Sequence, residues 1–238
     1  MKKYIGAFML ASAILSAVDT PIVFIHISKC AGTSTTAMLR SAIPKSQIHP
    51  YKFKYWFVSG EVEGNPELQD ALIHKYPLSP KFKLIDGHRP VWYLRGAYPE
   101  YDRAFKFTVL RDPVERVLSN YRFSLIRKKI LFPRYADAPL GVKPNLMCKM
   151  LASNCSLEGE ELLNQAIETL NDFDAVLFVE SFQEDITSLF KKLNLRLGNI
   201  PRLRPTHRQE VDPSVVEGIR NGNSLDVRLY EYAVNRFK

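Results

Sequence analysis

Short apolar runs alternate with longer mixed segments along this chain. The apolar runs, such as Ile-Val-Phe-Ile at 22–25, have the length of buried strands, and the longer segments are typical of helices. The predicted strands are 21–27, 82–85, 105–110 and 173–179, and the predicted helices are 33–42, 66–75, 113–129, 145–153, 158–171, 181–193 and 223–236.

Strands that alternate with helices predict an α/β fold with a central parallel sheet covered on both faces, a three-layer α/β/α arrangement. The 238 residues, of which 46% are hydrophobic, suit one domain with a substantial core. We assign this domain to 21–238. Residues 1–20 are set apart, because an apolar run at 4–18 follows two lysines. A signal peptide, a membrane anchor and a helix packed on the domain all stay open for this run, which is short for a membrane span of about 20 residues.

The segment 21–36, PIVFIHISKCAGTSTT, runs from the first predicted strand through a small-residue loop into a helix. This arrangement cradles phosphate, because backbone N–H groups and the helix dipole face the anion. Lys29 adds a mobile charge, and the hydroxyls donate hydrogen bonds. The order differs from the Walker A pattern G-x-x-x-x-G-K-[ST], because Lys29 precedes Gly32 by three residues.

A second motif follows the predicted strand 105–110. Asp112 suits a helix N-cap and Pro113 suits the first helical turn. Arg111 at the strand end and Ser119 in the helix lie eight residues apart. We expect both side chains to reach one anion at the carboxyl edge of the sheet, where ligands of parallel α/β folds bind.

The two motifs resemble the nucleotide-binding motifs of sulfotransferases. H-I-S-K-C-A-G-T-S at 26–34 is similar to H-I-P-K-[TC]-[GA]-G-T-S, with Ser28 in the usual Pro position, and L-R-D-P-V-E-R-V-L-S-N-Y at 110–121 is similar to L-R-[DN]-P-x-x-R-x-x-S-x-[YF]. The resemblance is to the carbohydrate-type, Golgi or bacterial sulfotransferases, the group that contains the uronyl 2-O-sulfotransferases. It implies a P-loop NTPase-like sulfotransferase fold and 3′-phosphoadenosine 5′-phosphosulfate (PAPS) as the co-substrate.

The resemblance also implies the residues that hold the donor. The 5′-phosphosulfate is assigned to the loop residues Lys29, Cys30, Ala31, Gly32, Thr33 and Ser34. The 3′-phosphate is assigned to Arg111 and Ser119 of the second motif. A basic loop near the C-terminus, with Arg204 and Arg208, is expected to cover the nucleotide.

Sulfuryl transfer needs a base for the acceptor hydroxyl, a cation at the bridging oxygen and in-line positioning. The family's loop lysine reaches the bridging oxygen, which makes Lys29 the candidate cation. His88 stands in a Gly-His step that resembles the one carrying the catalytic histidine of the uronyl 2-O-type enzymes, and a neutral imidazole suits a general base. Asp86 is the next candidate. Arg89 and Arg95 are the candidates for gripping carboxylate or sulfate groups of a glycan.

The net charge and the cysteines limit the possible partners and compartments of the chain. The net charge of +8 predicts an acidic partner, and an anionic or neutral glycan or another small hydroxyl acceptor fits; no nucleic-acid-binding motif is present. No Cys or His spacing suggests a metal. Cys148 and Cys155 would pair only in an oxidising compartment, so the Golgi lumen or membrane and the bacterial cytoplasm both stay open.

Two other functions remain open from the sequence. A kinase or another phosphotransferase that uses ATP would share the fold type, although its loop should show the Walker A order and carboxylates for Mg²⁺. A non-catalytic nucleotide- or glycan-binding module would lack the base or the loop lysine, and the sequence contains a candidate for each.

Overall fold

The structure is a computed structural model that describes residues 19–50, 62, 64–128, 143–154, 156–200 and 211–238. Its strands are β1 (Ile22–Ile25), β2 (Leu84–Ile85), β3 (Phe105–Leu110) and β4 (Ala175–Phe178). Its α-helices are α1 (Gly32–Ala42), α2 (Pro66–Lys75), α3 (Val91–Ala97), α4 (Pro113–Lys128), α5 (Leu146–Leu151), α6 (Gly159–Asn171), α7 (Phe182–Lys192), α8 (Pro213–Gly222) and α9 (Ser224–Phe237). None of the helices in these ranges is long and apolar enough to cross a membrane.

The strands form one parallel sheet in the order β2-β1-β3-β4 within the described residues. Every residue of β1 is at most 1% exposed. Because successive strand residues point to opposite faces, β1 is covered on both sides. The α/β class and the layered arrangement predicted from the sequence are therefore confirmed. All four predicted strands are present; β3 has the predicted bounds and the other three are shorter than predicted.

The parallel pairing decides where the loops meet. Ile22 pairs with Leu84 and with Phe105, so β1 lies between β2 and β3 in register. Carboxyl ends of parallel strands share one edge of the sheet. The segments that follow β1, β2 and β3 are consequently neighbours, although they are far apart in sequence.

Two helices were not predicted from the sequence. In α3, five of seven residues are buried, so its pattern is apolar nearly all round and lacks the amphipathic period. In α8, the Asp212 side chain accepts from the Ser214 amide at 2.8 Å and Pro213 occupies the first turn, an N-terminal signal that was available in the sequence.

A buried polar cluster fixes α4 against α5 and α9. The Asp226 carboxylate accepts from the Met147 and Cys148 amides at 3.0 and 2.9 Å, which caps α5. It also lies 3.7 Å from Nη2 of Arg116 on α4, with both side chains at most 1% exposed. Burial raises the pKa of Asp226, and the Arg116 guanidinium opposes that shift. Cys148 is a free thiol here, and Cys155, with which a pairing stays open, lies outside the described residues.

Candidate active site

The loop after β1 has a backbone suited to an anion. Lys29 and Ala31 both adopt the left-handed conformation, with φ of 70° and 53°. Left-handed residues that are not glycine cost of order 1–3 kcal/mol each and cluster at functional sites. Helix α1 begins directly afterwards, with no side-chain cap and no acidic residue in its first turn. The positive end of the α1 dipole is therefore not neutralised by a capping or acidic side chain of its first turn, which suits a negatively charged ligand.

The loop side chains divide between core and surface. Cys30 is 0% exposed, and burial raises the pKa of its thiol to about 12, so it packs and does not act as a nucleophile. Thr35 is buried and bonds back to the Ala31 carbonyl at 3.2 Å. Thr33 is exposed and Ser34 is half-buried, which leaves these two hydroxyls on the accessible side of the loop.

Gly32 is required by the ring of His26. A Cβ atom at Gly32 would lie 1.8 Å from His26 Cδ2, a separation that no pair of non-bonded carbons tolerates. The His26 ring in turn stacks on Phe24 and lies 4.0 Å, centroid to centroid, from the ring of His88. The glycine of the loop motif thus makes room for the His26 and His88 rings beside the loop that follows β1.

His88 is held by the backbone of the loop that follows β1. Its Nδ1 lies 2.8 Å from the His26 carbonyl oxygen, and because a carbonyl only accepts, Nδ1 carries the proton. Nε2 is then the nitrogen with the lone pair. The hydroxyl of Ser28 also lies 3.4 Å from Nδ1, a contact that the usual proline could not make. Burial lowers the pKa of His88; the bond to His26 opposes this and the Arg89 charge adds to it.

The turn that carries His88 is fixed by an ion pair. Asp86, at the end of β2, is 1% exposed and accepts from Nε and Nη2 of Arg40 at 2.8 and 2.7 Å. This bidentate pair joins β2 to α1. Asp86, the second candidate base from the sequence, is therefore engaged by a guanidinium.

Arg111 contacts the loop that follows β1. Its Nη1 donates to the Lys29 carbonyl at 3.3 Å, and its Nη2 lies 3.3 Å from Glu115 Oε2. Ser119 is two turns into α4 and only 6% exposed. The N-cap role of Asp112 is present, because its side chain accepts from the Glu115 amide at 2.9 Å. Glu115 was not predicted from the sequence, although its four-residue spacing from Arg111 is a signal of an ion pair on a helix.

The two arginines predicted to bind the acceptor are not brought to this loop. Arg89 is 1% exposed and donates to the Asp86 carbonyl, and its Nη2 lies 3.3 Å from His49 Nδ1, so its guanidinium supports the turn from inside. Arg95 lies 3.9 Å from Asp172, which precedes β4 and so marks the opposite, amino-terminal edge of the sheet. Arg204 and Arg208 lie outside the described residues.

Two further features border the loop. Lys29 Nζ lies 3.9 Å from the ring centroid of Phe123, a residue of α4 that sequence reasoning also missed. An open groove of about 370 Å³ separates α4 from α8, with Glu115, Leu118 and Val216 in its lining. No group of three or more potential metal ligands is found within the described ranges.

Comparison with known proteins identifies the family of this chain. The Sulfotransferase family model matches residues 13–145, more than half of the 238 residues, and spans both motifs and His88. Among solved structures, the chain is similar to a sulfotransferase from Alicyclobacillus acidocaldarius, with 17% identity, 93% of this chain and 98% of that chain covered, and a TM-score of 0.47. The curated proteins contain no match. On the family match, this chain belongs to the sulfotransferase family, whose members transfer sulfuryl groups.

Proposed function

We propose that this chain moves the sulfuryl group of PAPS to a hydroxyl of a carbohydrate, with His88 as the general base. The observation that carries the proposal is the contact between His88 and the phosphate loop. The imidazole is bonded to the His26 carbonyl at 2.8 Å, and Ser28, the neighbour of Lys29, lies 3.4 Å away. The candidate base and the candidate anion-binding loop are thus in contact at one edge of the sheet, which supports the proposal.

The residues present fit a phosphosulfate donor. The uncapped start of α1, the two left-handed loop residues and the Lys29 ammonium all favour a negative charge. Arg111 supplies a second cation at the same loop. When bound, PAPS supplies an activated sulfur whose bond to the bridging phosphate oxygen breaks during transfer.

His88 is suited to accept the proton of the hydroxyl. Its Nδ1 proton is held by the His26 carbonyl, so the acceptor's proton goes to Nε2 as the new oxygen–sulfur bond forms. The lowered pKa keeps the imidazole neutral at pH 7. Lys29 stabilises the electron pair that stays on the bridging oxygen, a charge that develops only in the transition state.

The acceptor class rests on charge and on the family branch suggested by the two motifs. The net charge of +8 favours an anionic partner, and sulfated or uronic-acid glycans have that character. Arg89 and Arg95 give little support, because the one is buried and the other lies at the far edge. Transfer of labelled sulfate from PAPS to a panel of polysaccharides, glycolipids, small hydroxyl compounds and tyrosine peptides tests the class directly, and labelling of the peptides alone would reject a carbohydrate.

His88→Ala tests the mechanism. We expect turnover to fall by roughly 10²–10⁴-fold with little change in PAPS binding. The acid limb of the wild-type pH–rate profile should lie below the ordinary histidine pKa of 6.5, because burial lowers the pKa of His88, and it should vanish in the variant. His74→Ala, at an exposed histidine on α2, is the matched control. A folded His88→Ala protein with near-normal turnover would remove His88 from the mechanism.

A ligand comparison tests the donor separately. Adenosine 3′,5′-bisphosphate should raise the melting temperature more than ATP with Mg²⁺ does. In this proposal Lys29 binds the 5′-phosphate and Arg111 binds the 3′-phosphate, a group that ATP lacks. The opposite order would favour a phosphotransferase.

A further inference from the structure

Phe123 is an exposed aromatic ring in contact with the candidate catalytic cation. Its side chain is 42% exposed, which is unusual for a large apolar residue in the part of the chain described. Lys29 Nζ lies 3.9 Å from the ring centroid, well inside the reach of about 6 Å for a cation–π contact. Other lysine–aromatic contacts are longer, at 5.0 Å for Lys81 with Phe82 and 5.6 Å for Lys75 with Tyr76.

The position of Phe123 on α4 places it on the face that contacts Lys29. Glu115, Ser119 and Phe123 are spaced by four residues and therefore lie along one face of the helix. Arg111, just before the helix, donates to the Lys29 carbonyl. Lys29 is thus contacted at both ends, its carbonyl by Arg111 and its ammonium by Phe123.

We propose that Phe123 is a positioning residue that holds the Lys29 ammonium over the loop before the donor arrives. This inference rests on the proposed function. A lysine side chain has a long flexible stem, and its ordering costs entropy. In the free enzyme, the attraction between the ammonium and the face of the Phe123 ring offsets this loss of entropy. The left-handed backbone fixes the other end of the lysine, its Cα atom. The cation is then preorganised for the bridging oxygen.

A double-mutant cycle separates positioning from other roles. Phe123→Leu keeps an apolar side chain and removes the aromatic face. We expect kcat to fall by about two- to fivefold, while the affinity for adenosine 3′,5′-bisphosphate is nearly unchanged and Phe123→Tyr retains activity. In a Lys29→Ala background, Phe123→Leu should have no further effect. Equal losses in both backgrounds, or no loss with Lys29 present, would overturn the proposal.

The contact itself has a readout that does not depend on activity. After reductive ¹³C-methylation of lysines, which keeps the charge, the Lys29 methyl signals should be shifted upfield by the ring, with Lys29→Arg as the assignment. Phe123→Leu should return them to the ordinary position, whereas Tyr76→Leu, the matched control beside Lys75, should leave them shifted. Unshifted Lys29 signals in the wild-type protein would overturn the contact.

The proposed function and the positioning role of Phe123 would be refuted by different results. A wild-type protein that transfers no sulfate to any acceptor overturns the proposed function and the catalytic part of this inference. Normal transfer in the wild type, combined with an unchanged kcat in Phe123→Leu, overturns the positioning role alone.

Discussion

Replacing Gly32 by Ala places a methyl group inside the His26 ring. The added Cβ would lie 1.8 Å from Cδ2 and 1.9 Å from Nε2 of that ring, so the ring must move. It cannot move freely, because it stacks on Phe24 at 5.6 Å and lies 4.0 Å from His88. Extra methyl groups in packed sites cost typically about 1–3 kcal/mol. We therefore expect Gly32→Ala to lower the free energy of unfolding by about 1–3 kcal/mol.

Displacement of the His26 ring should also reduce catalytic turnover, because it would move His88. His88 is bonded to the His26 carbonyl and packed on the His26 ring, and a shift of about 1 Å near reacting groups can cost on the order of a hundredfold in rate. We expect labelled-sulfate turnover to fall by roughly ten- to a hundredfold in Gly32→Ala, more than its modest loss of stability would explain.

Gly218→Ala is the matched control for this experiment. A Cβ atom there meets nothing within 4 Å, and Gly218 lies inside α8, so the change should stabilise by about 0.5–1 kcal/mol. Urea unfolding and thermal melts measure both variants, at about 2–4 °C per kcal/mol for a chain of this size. A Gly32→Ala protein with wild-type stability and turnover would show that His26 does not pack against this helix start.

Three other predictions follow from single contacts. Asp226→Asn breaks the buried pair with Arg116 and should cost about 3–5 kcal/mol in urea unfolding; unchanged stability would contradict that pairing. Glu115→Gln removes the carboxylate 3.3 Å from Arg111, so adenosine 3′,5′-bisphosphate should bind roughly two- to fivefold tighter at low salt by calorimetry, and weaker binding would contradict a competitive role for Glu115. Burial holds the pKa of His49 at about 4 against 6.5 in the unfolded chain, so the folded state binds fewer protons and the unfolding free energy should fall as pH drops from 6.5 to 4. His49→Asn should make the unfolding free energy less dependent on pH in this range. An equally steep pH dependence in the variant would show that His49 is not its source.

Local signals in the sequence were sufficient for most of the fold. The apolar run of β3 and the Asp-Pro start of α4 predict the strand bounds and the N-cap that the structure has. α3 could not be found in this way, because its Val-Trp-Tyr-Leu pattern is buried on nearly every side and has no periodic polar face. Whether such a segment becomes a helix or a strand depends on how the rest of the molecule packs around it, and the local sequence does not show that packing.

The candidate site was predictable to the level of strand ends, but not to the level of contacts. Lys29, His88 and Arg111 each follow a predicted strand, and parallel pairing places them at one edge. The contact of Lys29 with Phe123 joins positions 94 residues apart in sequence and depends on how α4 crosses the loop. The charges of Arg89 and Arg95 gave no information on burial, and the structure places one inside a turn and the other at the opposite edge.

The ion pair at Asp86 decides what can replace His88. From the sequence alone, Asp86 was the next base at the same strand end. In the structure its two carboxylate oxygens accept from Arg40 at 2.8 and 2.7 Å and its side chain is 1% exposed. To accept a substrate proton it would have to leave a guanidinium and reach solvent, and breaking a buried pair is strongly unfavourable. Asp86 therefore orients the turn that carries His88 and is not itself ready to replace His88 as the base.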